Sequence, residues 1–511
     1  MCVCNHCDSK LELILFDVLN TIRQASDYML GEKMNEINEF TSEKAFGLRK
    51  LSTVQLLNFC LGFFGLQFAW QMRIILSGPV TEGLGASPFI FGLIWLAGPV
   101  TGMVVQPIIG ALSDNTNTKF GRRRPYLMLG AILAALALWA FPNSANIAQL
   151  MADKLHLPMP VFGGLIVAAV MIWVIDACVN AAQGPYRALI PDNIVPEQHS
   201  IANSYLSFAI GLGSVIAAGT APFLKWALNY NMSIEAQFVM AALAFALGMT
   251  WTCITFKEKP VEVEVVQELS EEEKPLDEKI LEAHKPTFSE NFATFLKSSP
   301  EVFKICTMQF FTWIGVMCMF IFFTQFATHT VFGVPDLTSV DEAIKAQYAG
   351  AINEATNFAS ICFAILNLVC FVVSIPIGLL STKFGNKAVH IFSLLTMALA
   401  YLLMTFISNP VAIMVLMGIA GIGWASILAL PFAMLSEYIQ KGSEGAVMGI
   451  FNIFIAGPQV LVCTLIAWFI SKCEVTTSAG LNYHWEYSFL IGAVVLFIST
   501  IVTKMIHEKK A

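Results

Sequence analysis

Four polar residues interrupt the apolar run WVIDACVNAAQGPYRAL at positions 173–189: Asp176, Asn180, Gln183 and Arg187. Measured from the acid, the offsets are four, seven and eleven, which is one face of a helix. Asp176 and Arg187 then stand about 16 Å apart along the axis, too far to pair within one straight helix. Each needs a partner elsewhere. A lone carboxyl among apolar groups favours its protonated form and can exchange a proton near neutral pH. An arginine stays charged and forks onto neighbouring oxygens. A sodium site needs several oxygen ligands, and a second carboxylate helps. The other acids close to the apolar runs, Glu354, Glu437 and Glu486, fall near run ends. The stripe therefore reads as a proton site, because an acid inside a membrane span is expensive and usually functional. The competing reading is a satisfied hydrogen bond between helices.

Only a membrane explains such a stripe in such a run. The chain has 511 residues, 56% hydrophobic and 13% charged, against about 25% charged in soluble chains. Apolar runs of roughly 20 residues recur, each long enough to cross a bilayer as a helix. They run continuously rather than alternating, which argues against a β-barrel. The expected fold is all-α, with twelve spans near 54–77, 88–112, 125–142, 161–187, 200–224, 236–256, 302–331, 355–381, 388–407, 411–437, 446–471 and 486–506. No cleavable signal peptide is visible, and the first run able to span begins near Thr53.

Basic residues orient the spans. The loop after span 2 carries Lys119, Arg122, Arg123 and Arg124, and the tail after span 12 carries Lys504, Lys509 and Lys510. The loop at 78–87 has no Lys or Arg, and 143–160 has only Lys154. By the positive-inside rule both termini are cytoplasmic. The domains expected are a tail over 1–52, a six-helix half over 53–256, a linker over 257–301, a second half over 302–506 and a tail over 507–511. The linker holds six Lys against twelve Asp plus Glu, and such a segment reads as a solvated tether.

The first 50 residues are polar. Leu11, Ile14, Leu15, Val18 and Ile22 share a helical face, which fits a short interfacial helix. Met34 is an alternative start. Cys2, Cys4, His6 and Cys7 are metal-binding residue types, but their spacing fits no standard zinc module. They read as part of a reduced tail, with no metal and no cofactor. Most other cysteines sit singly in spans as small hydrophobes.

The halves repeat a signature. GALSDNTNTKFGRRRP begins at Gly110 and GLLSTKFGNK at Gly378. Each sets a polar turn, then Phe-Gly and basic residues, at a helix start on the basic side. Span 4 ends in GPYRAL and span 10 in LPFAML, so Pro185 and Pro431 correspond. Two related six-helix halves around a central cavity are the architecture of many secondary transporters. Gly110, Asp114, Gly121, Arg122, Arg123 and Arg124 then have two readings: a latch on one conformation, or plain charge bias that sets topology.

Uncharged polar residues converge on the middle: Asn58, Gln67 and Gln71 with Trp70 beside them, Gln106, Asn203 to Tyr205, Asn353, Asn357 and Asn367, and Asn452 with Gln459. Singly each fits a contact between helices. As a set they describe a cavity for an uncharged, hydroxyl-rich solute. Two facing intramembrane acids or a metal motif would mark an enzyme, and the spans carry neither.

QPIIGALSDNTNTKFGRRRP, FFGLQFAW (63–70), IWLAGPVTGMVVQPIIG (94–110) and WVIDACVNAAQGPYRALIPD (173–192) resemble the sucrose-type sugar symporters of the major facilitator superfamily. QFFTWIGVMCMFIFF, GIGWASILALPFAMLSEY and MGIFNIFIAGPQ resemble bacterial members assigned to maltose and other α-glucosides. The resemblance implies proton-coupled uptake of a disaccharide through the plasma or inner membrane, by a monomer whose partners are sugar, protons and lipid, not nucleic acid. It implies that Asp176 takes the proton and Arg187 contacts sugar, and it aligns Gln67 with the family's span 1 glutamine. The chain departs from plant members at Pro88, where they have histidine. It also departs at 324–330, TQFATHT, which lacks their acidic and basic residues, and at Arg73, where an uncharged residue is expected. The expected site is Asp176 for the proton, with Arg187, Asn180, Gln183, Gln67, Trp70, Asn357 and Asn452 for the sugar. A facilitator or exporter of another solute, and a sugar sensor, are the rival functions.

Overall fold

The computed structural model describes residues 48–114, 116, 118–155, 162–195, 198–258, 300–337, 342–438, 444–477 and 480–507. The N-terminal cysteine cluster, the interfacial helix, Met34, most of the linker and Lys509 and Lys510 lie outside the described residues.

Helices dominate. In the first half they are α1 (Thr53–Gly83), α2 (Pro88–Trp95), α3 (Ala97–Asp114), α4 (Arg124–Ala140), α5 (Ser144–Leu155), α6 (Gly163–Asn193), α7 (His199–Leu228) and α8 (Ile234–Thr255). The second half has α9 (Pro300–Gln325), which continues as a π-helical turn over Phe326–Val331. Then come α10 (Glu342–Phe384), α11 (Asn386–Met404), α12 (Pro410–Ser436), α13 (Glu444–Leu461), a second π-helical turn (Val462–Ile466), α14 (Ala467–Ile470) and α15 (Tyr487–Met505). Eleven of these helices or helix runs are long and apolar enough to cross a membrane, or up to twelve if the bent pair α4–α5 is one span.

Local chemistry starts the helices where they begin. Ser52 and Gln55 form a reciprocal capping box on α1. Ser87 caps α2 ahead of Pro88, and Asn409 caps α12 ahead of Pro410; proline at the first helical position gives up an N–H that had no partner. On α4 the large apolar side chains Leu129, Ile132, Leu133, Leu136 and Trp139 are exposed, while Ala131, Ala134 and Ala137 are buried. Apart from Leu127 and Leu138, which are also buried, the inward face is small and the outward face large and apolar, which is packing for lipid, where helices gain by close approach rather than by hiding apolar surface.

Both halves pack by one scheme. In the first, α1 lies against α7 and α8, α6 against α3 and α4, and α4 against α8. In the second, α9 lies against α13 and α15, α12 against α10 and α11, and α11 against α15. The repeated Phe-Gly turns also match. Gly121 has φ 97° and Gly385 φ 87°, a backbone region where a side chain is strained. At Gly65 the constraint is distance: a Cβ there would lie 2.2 Å from the Ala244 carbonyl oxygen, so α1 and α8 meet backbone to backbone.

Several limits differ from expectation. Residues 144–155, expected in a loop, form α5, set at 87° to α4. Its polar sequence, SANIAQLMADKL, hid it from an apolarity criterion. The helix of the polar stripe runs on to Asn193, and α10 starts at 342 rather than 355. A helix outlasts its apolar stretch once it has left the bilayer. A short antiparallel hairpin, β1 (Glu474–Thr477) with β2 (Gly480–Tyr483), stands where a plain loop is expected between the last two spans.

The halves touch through α7 with α10, α1 with α9 and α10, α3 with α13, and α2 with α14 and the second π turn. Toward the 78–87 turn this contact is tight. A Cβ on Gly92 would lie 2.3 Å from the Cys463 carbonyl oxygen, so α2 rests directly on the second π turn. Hydrogen bonds cross from Asn367 to Gln71 and from Lys345 to the Gly83 carbonyl. The face carrying the 78–87 turn is closed.

Candidate functional site

Asp176 finds its partner on another helix. Arg73 Nη2 of α1 donates to Asp176 Oδ2 of α6 at 2.5 Å, and both side chains are 0% exposed. Tryptophans flank the guanidinium, whose carbon lies 4.4 Å from the Trp95 ring centre and 5.1 Å from that of Trp70. Aromatic faces attract a cation, more so without water. Trp95 is held in turn by donating Nε1 to Ser77 Oγ at 3.1 Å. The acid expected to stand alone among apolar groups is therefore half of a buried ion pair. In the sequence Arg73 stands out only as a departure from the family pattern. The cost of any charge inside a span was the signal that could have found it.

Hydrogen-bonding capacity is left over in this niche. Arg73 Nε and Nη1 and Asp176 Oδ1 are buried and make no hydrogen bond to the described residues. Buried polar atoms are nearly always paired. Three such atoms on one ion pair, beside two indole rings, can receive hydroxyl groups.

The rest of the stripe faces α3. Asn180 Nδ2 donates to Thr101 Oγ1 at 3.0 Å. Gln183 is half-buried one turn further on. Arg187 is exposed, and its guanidinium carbon lies 5.2 Å from the Phe63 ring centre. Arg187 lies three turns from the buried acid on the same helix face, toward the basic loop at 119–124.

Other expected residues gather less closely. Trp70 belongs to the niche. Gln67 is half-buried on α1 opposite Gly213 of α7. Asn357 is half-buried on α10, and Asn452 is exposed on α13; neither is bonded to the ion pair. Asn58 instead accepts from Trp251 Nε1 at 3.3 Å, a contact between helices.

The basic loop is a bonded network. Arg123, 5% exposed, donates to Ser113 Oγ at 2.6 Å and pairs with Asp114 at 2.5 Å and Asp192 at 2.9 Å. Arg122 pairs with Asp192 at 2.6 Å. Three helices, α3, α4 and α6, are thus pinned at one point. The Glu258 carboxylate accepts the backbone N–H groups of Arg122, Arg123 and Arg124 at 2.7–3.1 Å, as an anion does at a helix N-terminus. Gly121 leaves the room, since its Cβ would lie 2.6 Å from the Glu258 carboxyl carbon. Gly110, by contrast, faces open space. In the second half Asn386 donates to Glu437 Oε1 at 3.2 Å, echoing the link from Arg123 to Asp192. Charge bias alone does not call for a buried arginine with three side-chain partners.

Known proteins match on sequence and on shape. The rice protein "Sucrose transport protein SUT2" (Oryza sativa subsp. indica) is 27% identical over 451 residues, covering 82% of this chain and 87% of the relative. "Sucrose transport protein SUC4" of Arabidopsis thaliana is 26% identical over 431 residues, covering 78% and 80%. The crystal structure of a D-xylose-proton symporter superposes with a TM-score of 0.57 at 15% identity, covering 89% of this chain and 98% of that one. That of the nucleoside transporter NupG gives 0.60 at 13%, covering 90% and 100%. At such identities the superpositions speak for the fold. The Major Facilitator Superfamily profile matches residues 59–353 and 343–510, so on profile, fold and the repeated half this chain belongs to the Major Facilitator Superfamily.

Proposed function

We propose that the chain is a proton-coupled symporter of a disaccharide or related glucoside, working by alternating access. The observation that carries the reading is the buried Arg73–Asp176 pair with its unspent hydrogen-bonding atoms, in a chain similar to sucrose transport proteins. Protonation of Asp176 removes the charge that balances Arg73. The guanidinium, still charged, then needs acceptors, and sugar hydroxyl oxygens supply them. Trp70 and Trp95 offer ring faces to the sugar's C–H surface. Proton loss re-forms the pair and takes those donors back from the sugar. Proton and sugar thereby share one site. Arg187, Asn180, Gln183 and Gln67 line the approach, with Asn357 and Asn452 on the facing half. The network around Arg123, with Asp114, Gly121, Arg122 and Arg124, holds the first half together as it rocks.

In this reading the basic face is cytoplasmic, both termini lie inside, and the acidic segment 257–301 ties the half 53–256 to the half 302–506. The protein works as a monomer in the plasma or inner membrane. The second-half stretches quoted above support a substrate preference like that of bacterial maltose and α-glucoside carriers.

The test is uptake of radiolabelled sucrose and maltose into proteoliposomes under an imposed inward proton gradient, with trehalose and monosaccharides as competitors. Accumulation above the external concentration is expected. Asp176→Asn should abolish accumulation while leaving sugar exchange. Accumulation by that variant at the unmodified rate sinks the proton assignment, and uptake indifferent to the gradient favours a facilitator.

A further inference from the structure

The closed face holds a charged contact between the halves, away from the Arg73–Asp176 pair of the first half. Glu82 ends α1, and His329 sits in the π turn that follows α9. His329 Nε2 lies 2.9 Å from Glu82 Oε1 and 3.0 Å from Oε2. Its Nδ1 faces the Val334 carbonyl oxygen at 2.8 Å. Nδ1 faces a carbonyl and Nε2 a carboxylate, and with Glu82 ionised only a ring with two N–H groups serves both. His329 meets these partners as an imidazolium, and the contact is an ion pair.

The surroundings fix the histidine rather than the glutamate. The Trp485 ring stacks on it with centres 5.5 Å apart and planes 15° from parallel. Asn482 Nδ2 reaches back to the His329 carbonyl at 3.4 Å. One turn before Glu82, a Cβ on Gly78 would lie 2.0 Å from Gln325 Nε2, so α1 and α9 approach closely there, beside a small cavity that Glu82, Gln325, Asp336 and Trp485 also line. The ion pair is thus a fixed cation on one half holding the last turn of the other. It sits where the two halves must part for that face to open.

We propose that Glu82 and His329 form the latch of this face, so that breaking the pair sets how readily the empty carrier reopens there. The proposal rests on the alternating-access reading. Its test needs no sugar, so failure of the latch is distinguishable from failure of the substrate assignment. The ligand-free full chain in detergent is followed by backbone hydrogen exchange in two segments, 74–84 and 326–337. Glu82→Gln and His329→Gln each remove the charge pair with little change of volume. Exchange in both segments should quicken by about tenfold or more, the shift expected when a closing contact is lost. Exchange across the Arg123 network should stay unchanged. The swap Glu82→His with His329→Glu should bring both segments back toward the unmodified rate. Unchanged exchange in the single variants overturns the proposal. So does quickening spread over every helix, or a swap that restores nothing.

Discussion

Arg73 and Asp176 meet across two helices of the first half, nitrogen to oxygen at 2.5 Å, with neither side chain exposed. The pair is neutral as a unit and charged in its parts. Removing one partner strands the other charge without water, at a cost of about 3–5 kcal/mol, whereas replacing both by apolar groups is often close to neutral. Arg73→Met and Asp176→Leu should each lower the thermal unfolding midpoint in detergent. The double variant should recover most of the loss and transport nothing. A double variant no more stable than either single one would mean the pair is not an energetic unit.

Arg123 should tolerate no substitute, lysine included. Its guanidinium serves Ser113, Asp114 and Asp192 in three directions, and an ammonium on a flexible stem cannot reproduce that fork. Arg123→Lys is expected to cut the initial rate of sugar uptake by roughly tenfold or more, which is the loss of one charged hydrogen bond. Uptake at the unmodified rate would reduce the cluster to a topology signal.

Gly65→Ala should damage folding rather than coupling. The added methyl meets the Ala244 backbone oxygen, so α1 must move away from α8. Overpacking costs typically about 1–3 kcal/mol, and a rigid backbone neighbour puts this site at the upper end. The measurement is the thermal midpoint and the yield of monodisperse protein. A midpoint equal to that of the unmodified chain would show that the helices part without cost.

Cys473 offers a test of orientation. It follows α14 on the closed face and is the one partly exposed cysteine among those described. Burial, and then the nearby Glu486 carboxylate, raise its thiol above the ordinary range. The reactive form is the thiolate, so labelling by a membrane-impermeant maleimide should be slow at neutral pH and climb as pH rises. Glu486→Gln should quicken it. In cells carrying a variant with Cys2, Cys4 and Cys7 changed to Ser, label should enter from outside. Labelling only after permeabilisation would reverse the proposed topology.

The class of fold and the polar stripe on one helix are legible in the residues alone. Apolar run length shows the spans because a bilayer imposes a minimum on every one of them. The repeated Phe-Gly turn shows the internal relation because its glycines must hold a backbone that other residues resist. The offsets from Asp176 to Arg187 place four polar groups on one stripe because helix geometry is local. Run length could not see α5, whose residues are too polar, nor the ends of α6 and α10, which extend past the bilayer's demand. Pairing belongs to tertiary structure alone. Asp176 lies 103 positions from Arg73 and Glu82 lies 247 from His329, and no periodicity within a helix carries across such a distance. Only the packing of α1 on the first half, and of one half on the other, decided which charge each acid would meet.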